Sequence, residues 1–185
     1  MPPADLSRVV VIGTSSAGKT TFARRLASTL GCPHVELDAL HWGPQWTPRA
    51  AFREDVARST REPHWVIDGN YSVVRDVVWR RATAIVWLDY SIARVFSRAL
   101  RRTVRRVVTG EHLYGGNRET IAGSFFARDG IPWYVLRTYR RRPREFPVMF
   151  GRPEYAHATV IRLRTPAAAE AFLAETALSS TSRPR

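Results

Sequence analysis

The chain has 185 residues, 29 of them basic and 16 acidic, and a formal net charge of +13. At about 150 residues per domain this predicts one domain over residues 1–178, able to bury a core without staples, and a disordered tail at 179–185. The single cysteine, Cys32, excludes a disulfide scaffold and predicts a reducing, cytoplasmic setting. No run of about 18 apolar residues predicts a membrane span, and the residues after Met1 carry no signal-peptide pattern.

Of the 29 basic residues only Lys19 is a lysine. Where arginine is used almost everywhere, a surviving lysine invites a chemical reason. The charge is also uneven. Residues 91–152 hold 14 arginines against Glu111, Glu119, Asp129 and Glu145, and so carry +10 of the +13. An anionic partner is implied, either nucleic acid or phosphate-bearing small molecules.

In chain order, Arg8–Ile12 is an apolar run bounded by Gly13, which predicts a strand buried on both faces. Phe22, Leu26 and Leu30 are spaced by four and predict a helix over 19–30, closed by Gly31. His34–Leu37 reads as a second strand, and His41–Pro48, rich in Trp, Pro and Gly, as a loop. Helical spacing over 49–60 precedes a third strand, Trp65–Ile67, and a fourth, Ala82–Leu88. Ser91 is placed to cap a helix over 92–108, with Ile92, Val95, Phe96, Ala99, Thr103 and Val107 inward. After a polar stretch to Asn117, helical pieces are predicted at about 118–128 and 132–142. Thr159–Leu163 reads as a fifth strand, and Pro166 opens a last helix over 167–178 with Phe172 and Leu173 inward. Alternating strands and helices predict an α/β domain with a parallel sheet.

The first strand runs into Gly13-Thr14-Ser15-Ser16-Ala17-Gly18-Lys19-Thr20, which fits the P-loop pattern G-x-x-x-x-G-K-[ST]. The two glycines let the backbone approach phosphate oxygens, and the helix that follows, with Thr21 in its first turn, aims amides and a positive dipole end at them. Lys19 supplies a compact charge to the β- and γ-phosphates, and the Thr20 hydroxyl a ligand to Mg²⁺. The strand before and the helix after are the context the pattern requires.

In a parallel sheet, ligands sit beyond the carboxyl ends of the strands. Asp38, Asp68 and Asp89 fall there. Asp68 follows Trp65-Val66-Ile67 and has the form of a metal-supporting carboxylate. Asp38 opens a loop at the acceptor side, where it is placed to orient a hydroxyl. Asp89, beside Tyr90 and Ser91, reads better as a turn residue. His41, Trp42, Asn70 and Tyr71 are candidate acceptor-side residues, and for His41 a packed loop histidine is an equal reading.

On the helix 92–108 six arginines lie opposite the apolar stripe with no acid interleaved, so they repel one another unless an anion is bound. A lid over about 105–135 carrying such arginines is placed to neutralise a transferring phosphate and exclude water. That favours an ATP-dependent phosphotransferase acting on a small molecule. A nucleic-acid binder using 91–152 and a nucleotide-gated regulatory module are the alternatives. The guanine-reading pattern N-K-x-D of switch GTPases is absent.

Together the P-loop, short sheet and arginine-rich lid resemble the small P-loop kinases of the adenylate kinase and shikimate kinase group. The strings Leu37-Asp-Ala-Leu-His-Trp-Gly-Pro, Trp65-Val-Ile-Asp-Gly-Asn-Tyr, Val86-Trp-Leu-Asp-Tyr, Gly116-Asn-Arg-Glu and Pro153-Glu-Tyr-Ala-His are similar to the adenylate-kinase-like family labelled DNA topology modulation proteins. The resemblance spans about residues 8–175. It implies a P-loop NTPase three-layer sandwich whose five parallel strands run in the order 2-3-1-4-5, and it implies ATP and Mg²⁺. Arg98 or Arg102 would approach the base and phosphates, Arg118 and Arg128 the transferring phosphate, and Thr165-Pro166 the adenine. Where nucleoside monophosphate kinases carry an arginine for the acceptor phosphate, this chain has tryptophans and prolines, with Arg49 or Arg53 as substitutes. Monomer and homodimer are both open.

Overall fold

The computed structural model describes residues 4–117 and 131–181. Its strands are β1 (Arg8–Gly13), β2 (His34–Glu36), β3 (Trp65–Asp68), β4 (Ala84–Leu88) and β5 (Thr159–Leu163). Its helices are α1 (Lys19–Leu30), α2 (Leu37–His41), α3 (Phe52–Ser59), α4 (Arg75–Trp79), α5 (Ile92–Thr109), α6 (Ile131–Phe150) and α7 (Pro166–Thr181). All strand pairings are parallel, in the order β2-β3-β1-β4-β5.

The sheet has a core on each face, and β1 feeds both. Val9 and Val11 point to the side of α1, α5 and α7, against Phe22, Leu26, Val95 and Leu173. Val10 and Ile12 point to the side of α3, α4 and α6, against Phe52, Val56, Trp79 and Phe146. Burial on both faces is why β1, β3 and β4 read as continuous apolar runs. Aromatic rings dominate the second core. Trp79 meets Phe146, Phe150 and Tyr155 at centroid distances of 6.3, 5.7 and 5.4 Å. Trp87 adds an edge-on contact to Phe146 at 5.4 Å.

Several expectations change. Two short helices, α2 and α4, occupy stretches with no legible period, and Asp38 lies in the first turn of α2 rather than opening a loop. The helix expected to end at 142 continues through Pro143 and Pro147 to Phe150, where Phe146 and Met149 are buried. Ser91 stands at the N-cap position of α5, but its hydroxyl makes no capping bond. On α5, Val95, Ala99 and Thr103 are buried as expected, whereas Phe96 is exposed. Helix α7 runs to Thr181, so residues 179–181 belong to it. The helical piece expected at 118–128 lies outside the described residues. Among the described residues no helix is long and apolar enough to cross a membrane.

Candidate nucleotide and acceptor site

Residues 13–20 join β1 to α1 as a tight loop, closed by the Ala17 amide donating to the Thr14 carbonyl at 3.1 Å. Gly13 has φ +155°, and a Cβ there would stand 2.7 Å from the Leu88 carbonyl oxygen of β4. Any side chain would force the loop off the sheet. Ser16 adopts φ +65°, and its Oγ is buried with no hydrogen-bond partner among the described residues. A phosphate oxygen would satisfy that hydroxyl, so the loop fits a nucleotide phosphate on an observation of its own.

Lys19 folds back over the loop and donates to the Thr14 carbonyl at 3.2 Å. Burial brings its pKa down to about 8, and Arg142 and Arg102 push the same way against Asp38 and Asp68. An anion arriving in the loop would raise that pKa again.

Three oxygen-bearing side chains meet beside it. The Thr20 hydroxyl lies 3.0 Å from Glu36 Oε1 and 3.3 Å from Asp68 Oδ1. Glu36 and Asp68 are register partners on β2 and β3, so their carboxylates leave the sheet on one face. Asp68 is 1% exposed and its Oδ2 lies 2.8 Å from His34 Nε2. Hard oxygen donors of this kind fit Mg²⁺. Among the described residues no three acidic, histidine or cysteine side chains are grouped so as to hold a metal ion by themselves. Glu36 was not singled out from the sequence. Its signal was its place at a strand end, two residues before Asp38.

A cleft of about 1930 Å³ opens over this floor. It is lined by Gly13, Ser15 to Thr21, Asp38, Trp42, Asn70, Tyr71, Arg98, Arg102 and Pro166, as expected from the sequence, and also by Glu36, Arg75, Tyr114 and Arg142. Arg98 donates to the Ala17 carbonyl at 3.3 Å and lies over the Tyr90 ring at 5.7 Å. Arg102 reaches Ser15 Oγ at 3.5 Å, and Arg142 of α6 donates to the Gly13 carbonyl at 2.5 Å. Three arginines from two helices thus surround the loop.

On the opposite wall the Tyr71 hydroxyl donates to Asp38 Oδ1 at 2.5 Å. Trp42 packs edge-on against Trp46, with centroids 5.7 Å apart. A turn following α5 closes this wall. Asn117, 8% exposed, donates from Nδ2 to the carbonyls of Gly43 (2.8 Å) and Tyr114 (2.7 Å). Its Oδ1 accepts from the Trp46 amide at 3.2 Å. Gln45 and Trp46 are consecutive left-handed residues, with φ of 55° and 57°. Gly115 is so close that a Cβ would stand 2.4 Å from the Gly43 carbonyl carbon. Tyr114 sends its hydroxyl to Glu36 Oε1, and burial, followed by that bond, raises its pKa.

Other expected residues are placed elsewhere. His41 does not line the cleft. It is wedged against Trp42, Phe52 and Tyr71 at centroid distances of 4.5, 4.6 and 4.4 Å, and burial lowers its pKa. Thr165 caps α7, its Oγ1 accepting from the Ala168 amide at 3.1 Å. Thr14 is buried and contributes its carbonyl. Asp89 pairs with Arg162, at 2.8 and 2.5 Å. Arg49 and Arg53, the expected substitutes for an acceptor-phosphate arginine, pair with Asp55 (3.0 Å) and Asp76 (2.6 Å). Arg105 and Arg106 are not unpaired either, since both reach Glu111 from α5. Arg118 and Arg128 lie outside the described residues.

No protein-family model matches the chain, and no curated protein matches it. Solved structures do, and they define the fold as that of small P-loop kinases. One is a gluconokinase from Sinorhizobium meliloti 1021, at 20% identity and TM-score 0.51, over 98% of this chain and 100% of that one. Another is a shikimate kinase from Bacteroides thetaiotaomicron, at 17% identity and TM-score 0.54, over 91% of this chain and 94% of that one. A third is a shikimate kinase from Acinetobacter baumannii in complex with shikimate, at 15% identity and TM-score 0.53, over 98% and 97% of the two chains.

Proposed function

We propose that the chain is an ATP-dependent phosphotransferase that moves the γ-phosphoryl group of ATP to a hydroxyl of a small molecule. The observation that carries this reading is the shared cleft: Lys19 over the phosphate loop and the Tyr71-bound carboxylate of Asp38 line the same cavity. The loop amides, Lys19 and Arg142 hold the phosphates, and Arg98 and Arg102 flank the loop toward the base. Thr20, Glu36 and Asp68 would hold Mg²⁺, which when bound neutralises charge on the β- and γ-phosphates. The acceptor hydroxyl oxygen attacks the γ-phosphorus and its proton passes to Asp38. The bond to the bridging oxygen breaks, and ADP leaves. Tyr71 fixes Asp38 for that step, and the aromatic wall excludes water, so that the acceptor and not water is phosphorylated. Kinase names among the structures of like fold support the reaction class. The strings shared with DNA topology modulation proteins support a place beside that adenylate-kinase-like family, and the lone Cys32 suits a cytoplasmic enzyme.

The test is ADP release with a panel of gluconate, shikimate, nucleosides and nucleoside monophosphates, alongside calorimetric titration of ATP. Turnover with one acceptor well above that with water supports the assignment. Normal ATP binding with no turnover on any acceptor overturns it and leaves the nucleotide-gated module. The nucleic-acid reading draws on arginines outside the cleft, such as Arg94 and Arg101, both exposed on α5. It requires binding that weakens by about 0.9 log unit per log unit of salt for each phosphate contacted.

A further inference from the structure

Glu36 ends β2, and its Oε1 is the oxygen that faces the Thr20 hydroxyl at 3.0 Å, with Asp68 Oδ1 also within reach of that hydroxyl at 3.3 Å. The same Oε1 accepts the hydroxyl of Tyr114. A carboxylate oxygen has two lone pairs, and here Thr20 and Tyr114 engage both. Burial, then the bond to Glu36, raises the Tyr114 pKa, so the phenol stays protonated and remains a donor. A proton donor thus sits on the carboxylate oxygen that a divalent cation at Thr20, Glu36 and Asp68 would use, and the two compete for one lone pair. The Thr20 hydroxyl can keep its place, because it has lone pairs of its own to offer an ion. Tyr114 reaches Oε1 from outside the phosphate loop and is the donor that gives way.

Tyr114 does not stand on a loose loop. It begins a tight turn, Tyr114–Gly116, in which the Leu113 amide donates to the Asn117 carbonyl at 2.7 Å and the Gly116 amide to the Leu113 carbonyl at 3.0 Å. At the far end of that turn Asn117 holds the Gly43 carbonyl at 2.8 Å and the Trp46 amide at 3.2 Å. Between the two, Gly115 is pressed against the Gly43 backbone. The loop beneath is itself closed, the Gly43 amide donating to the Thr47 carbonyl at 2.8 Å. It carries Trp42 and Trp46, which line the cleft. One turn therefore ties an oxygen of the cation site to the aromatic wall on the acceptor side. With its own backbone bonds made, the turn passes a shift of Tyr114 on to that wall.

We propose that Tyr114 is a latch set against metal loading. Bonded to Glu36, it holds the turn, and through Asn117 the acceptor wall, in a resting arrangement. When Mg²⁺ loads with nucleotide, the phenol leaves Glu36 and the loop carrying Trp42 and Trp46 is released. The proposal rests on the phosphotransferase reading, which supplies the cation and the nucleotide. It defines two states, one with Tyr114 on Glu36 and one with that oxygen given to the cation. The cation binds the second state better, and that difference is what shifts the wall. The acceptor side thus takes its working position after the nucleotide has loaded with its metal.

The experiment uses the full chain, as wild type and as Tyr114→Phe, which removes the hydroxyl and keeps the ring. A non-hydrolysable ATP analogue is titrated by calorimetry with and without Mg²⁺, and the ratio of the two affinities is taken for each protein. The ratio is expected to be about tenfold larger in Tyr114→Phe, because no bond to a charged oxygen has to be broken, while the metal-free affinities match. In a second measurement Mg²⁺ is added to the nucleotide-saturated proteins while the Asn117 side-chain amide and the Trp46 backbone amide are followed by NMR. Both resonances shift saturably in the wild type, and the shift is lost in Tyr114→Phe, where the latch is already open. An equal or smaller affinity ratio in Tyr114→Phe overturns the proposal. So do wild-type resonances that do not move with Mg²⁺, a result that stands whatever the stability of the variant, and so does a shift kept in full by the variant. A wild type that fails to bind the analogue with or without Mg²⁺ instead counts against the phosphotransferase reading, so the two failures are told apart.

Discussion

Replacing Asn117 by alanine removes a three-way junction, and the structure supplies the size of the loss. Three hydrogen bonds disappear: two from Nδ2 to the Gly43 and Tyr114 carbonyls, one from the Trp46 amide to Oδ1. At about 1 kcal/mol net each they total about 3 kcal/mol. Part is returned. Gln45 and Trp46 are held left-handed at φ 55° and 57°, and a freed loop recovers about 1 kcal/mol of that strain. The expected net loss is about 2 kcal/mol, which for a chain of this length lowers Tm by about 4–8 °C. Gly115→Ala attacks the same contact from the other side, by driving a Cβ into the Gly43 carbonyl. Because both variants break one interface, the double mutant falls short of the sum by about 0.5 kcal/mol or more. Calorimetric melting and urea titration of the four proteins measure this directly. A Tm for Asn117→Ala within a degree of wild type, or strict additivity with Gly115→Ala, refutes the reasoning.

Lys19→Ala loses a charge-assisted contact to phosphate worth about 1.5–3 kcal/mol, so ATP affinity by calorimetry falls roughly 10- to 100-fold while the melting temperature is kept. Lys19 also sets a pH dependence. Its pKa of about 8 in the free loop rises when phosphate binds, so nucleotide affinity without Mg²⁺ is full below pH 8 and declines as pH rises through that value. In Lys19→Ala the decline disappears, and a matching decline in that variant would exclude Lys19 as its source. Asp68→Asn raises the Mg²⁺ concentration needed for half-maximal turnover by about tenfold and leaves metal-free nucleotide affinity near wild type. Chelation of Mg²⁺ abolishes turnover in both proteins.

Much of this was legible in the chain itself. Strands β1, β3 and β4 are buried on both faces, so they stand out as apolar runs whatever surrounds them. The phosphate loop is contiguous, and contiguity is what a motif can encode. Asp38 and Tyr71 were both marked, but not their hydrogen bond, which joins residues 33 apart. The acceptor wall was least legible. Asn117 grips Gly43 across 74 positions, and Tyr114 reaches Glu36 across 78. Neither separation leaves a local pattern. In sequence His41 reads equally as a residue lining the acceptor pocket and as a packed loop histidine; in the structure it sits among three aromatic rings. Helix α6 runs on past Pro143 and Pro147, residues that in a sequence signal a stop. Burial of Phe146 and Met149 outweighs the backbone bonds those prolines forgo. The Thr165 hydroxyl caps α7, a role that no motif around it announces.

Helix α6 carries Arg142 to the Gly13 carbonyl and, one turn later, Phe146 into the aromatic core against Trp79 and Trp87. The phosphate loop and the interior are therefore joined through one helix. Trimming Phe146 would shift an arginine that it never touches, and the shift would surface as weaker nucleotide binding rather than simple loss of fold. A selection for catalytic function on random variants of this chain would consequently return core aromatics among its hits. Sorting hits by melting temperature alone would misfile those substitutions, because their effect is on aim as well as on cohesion.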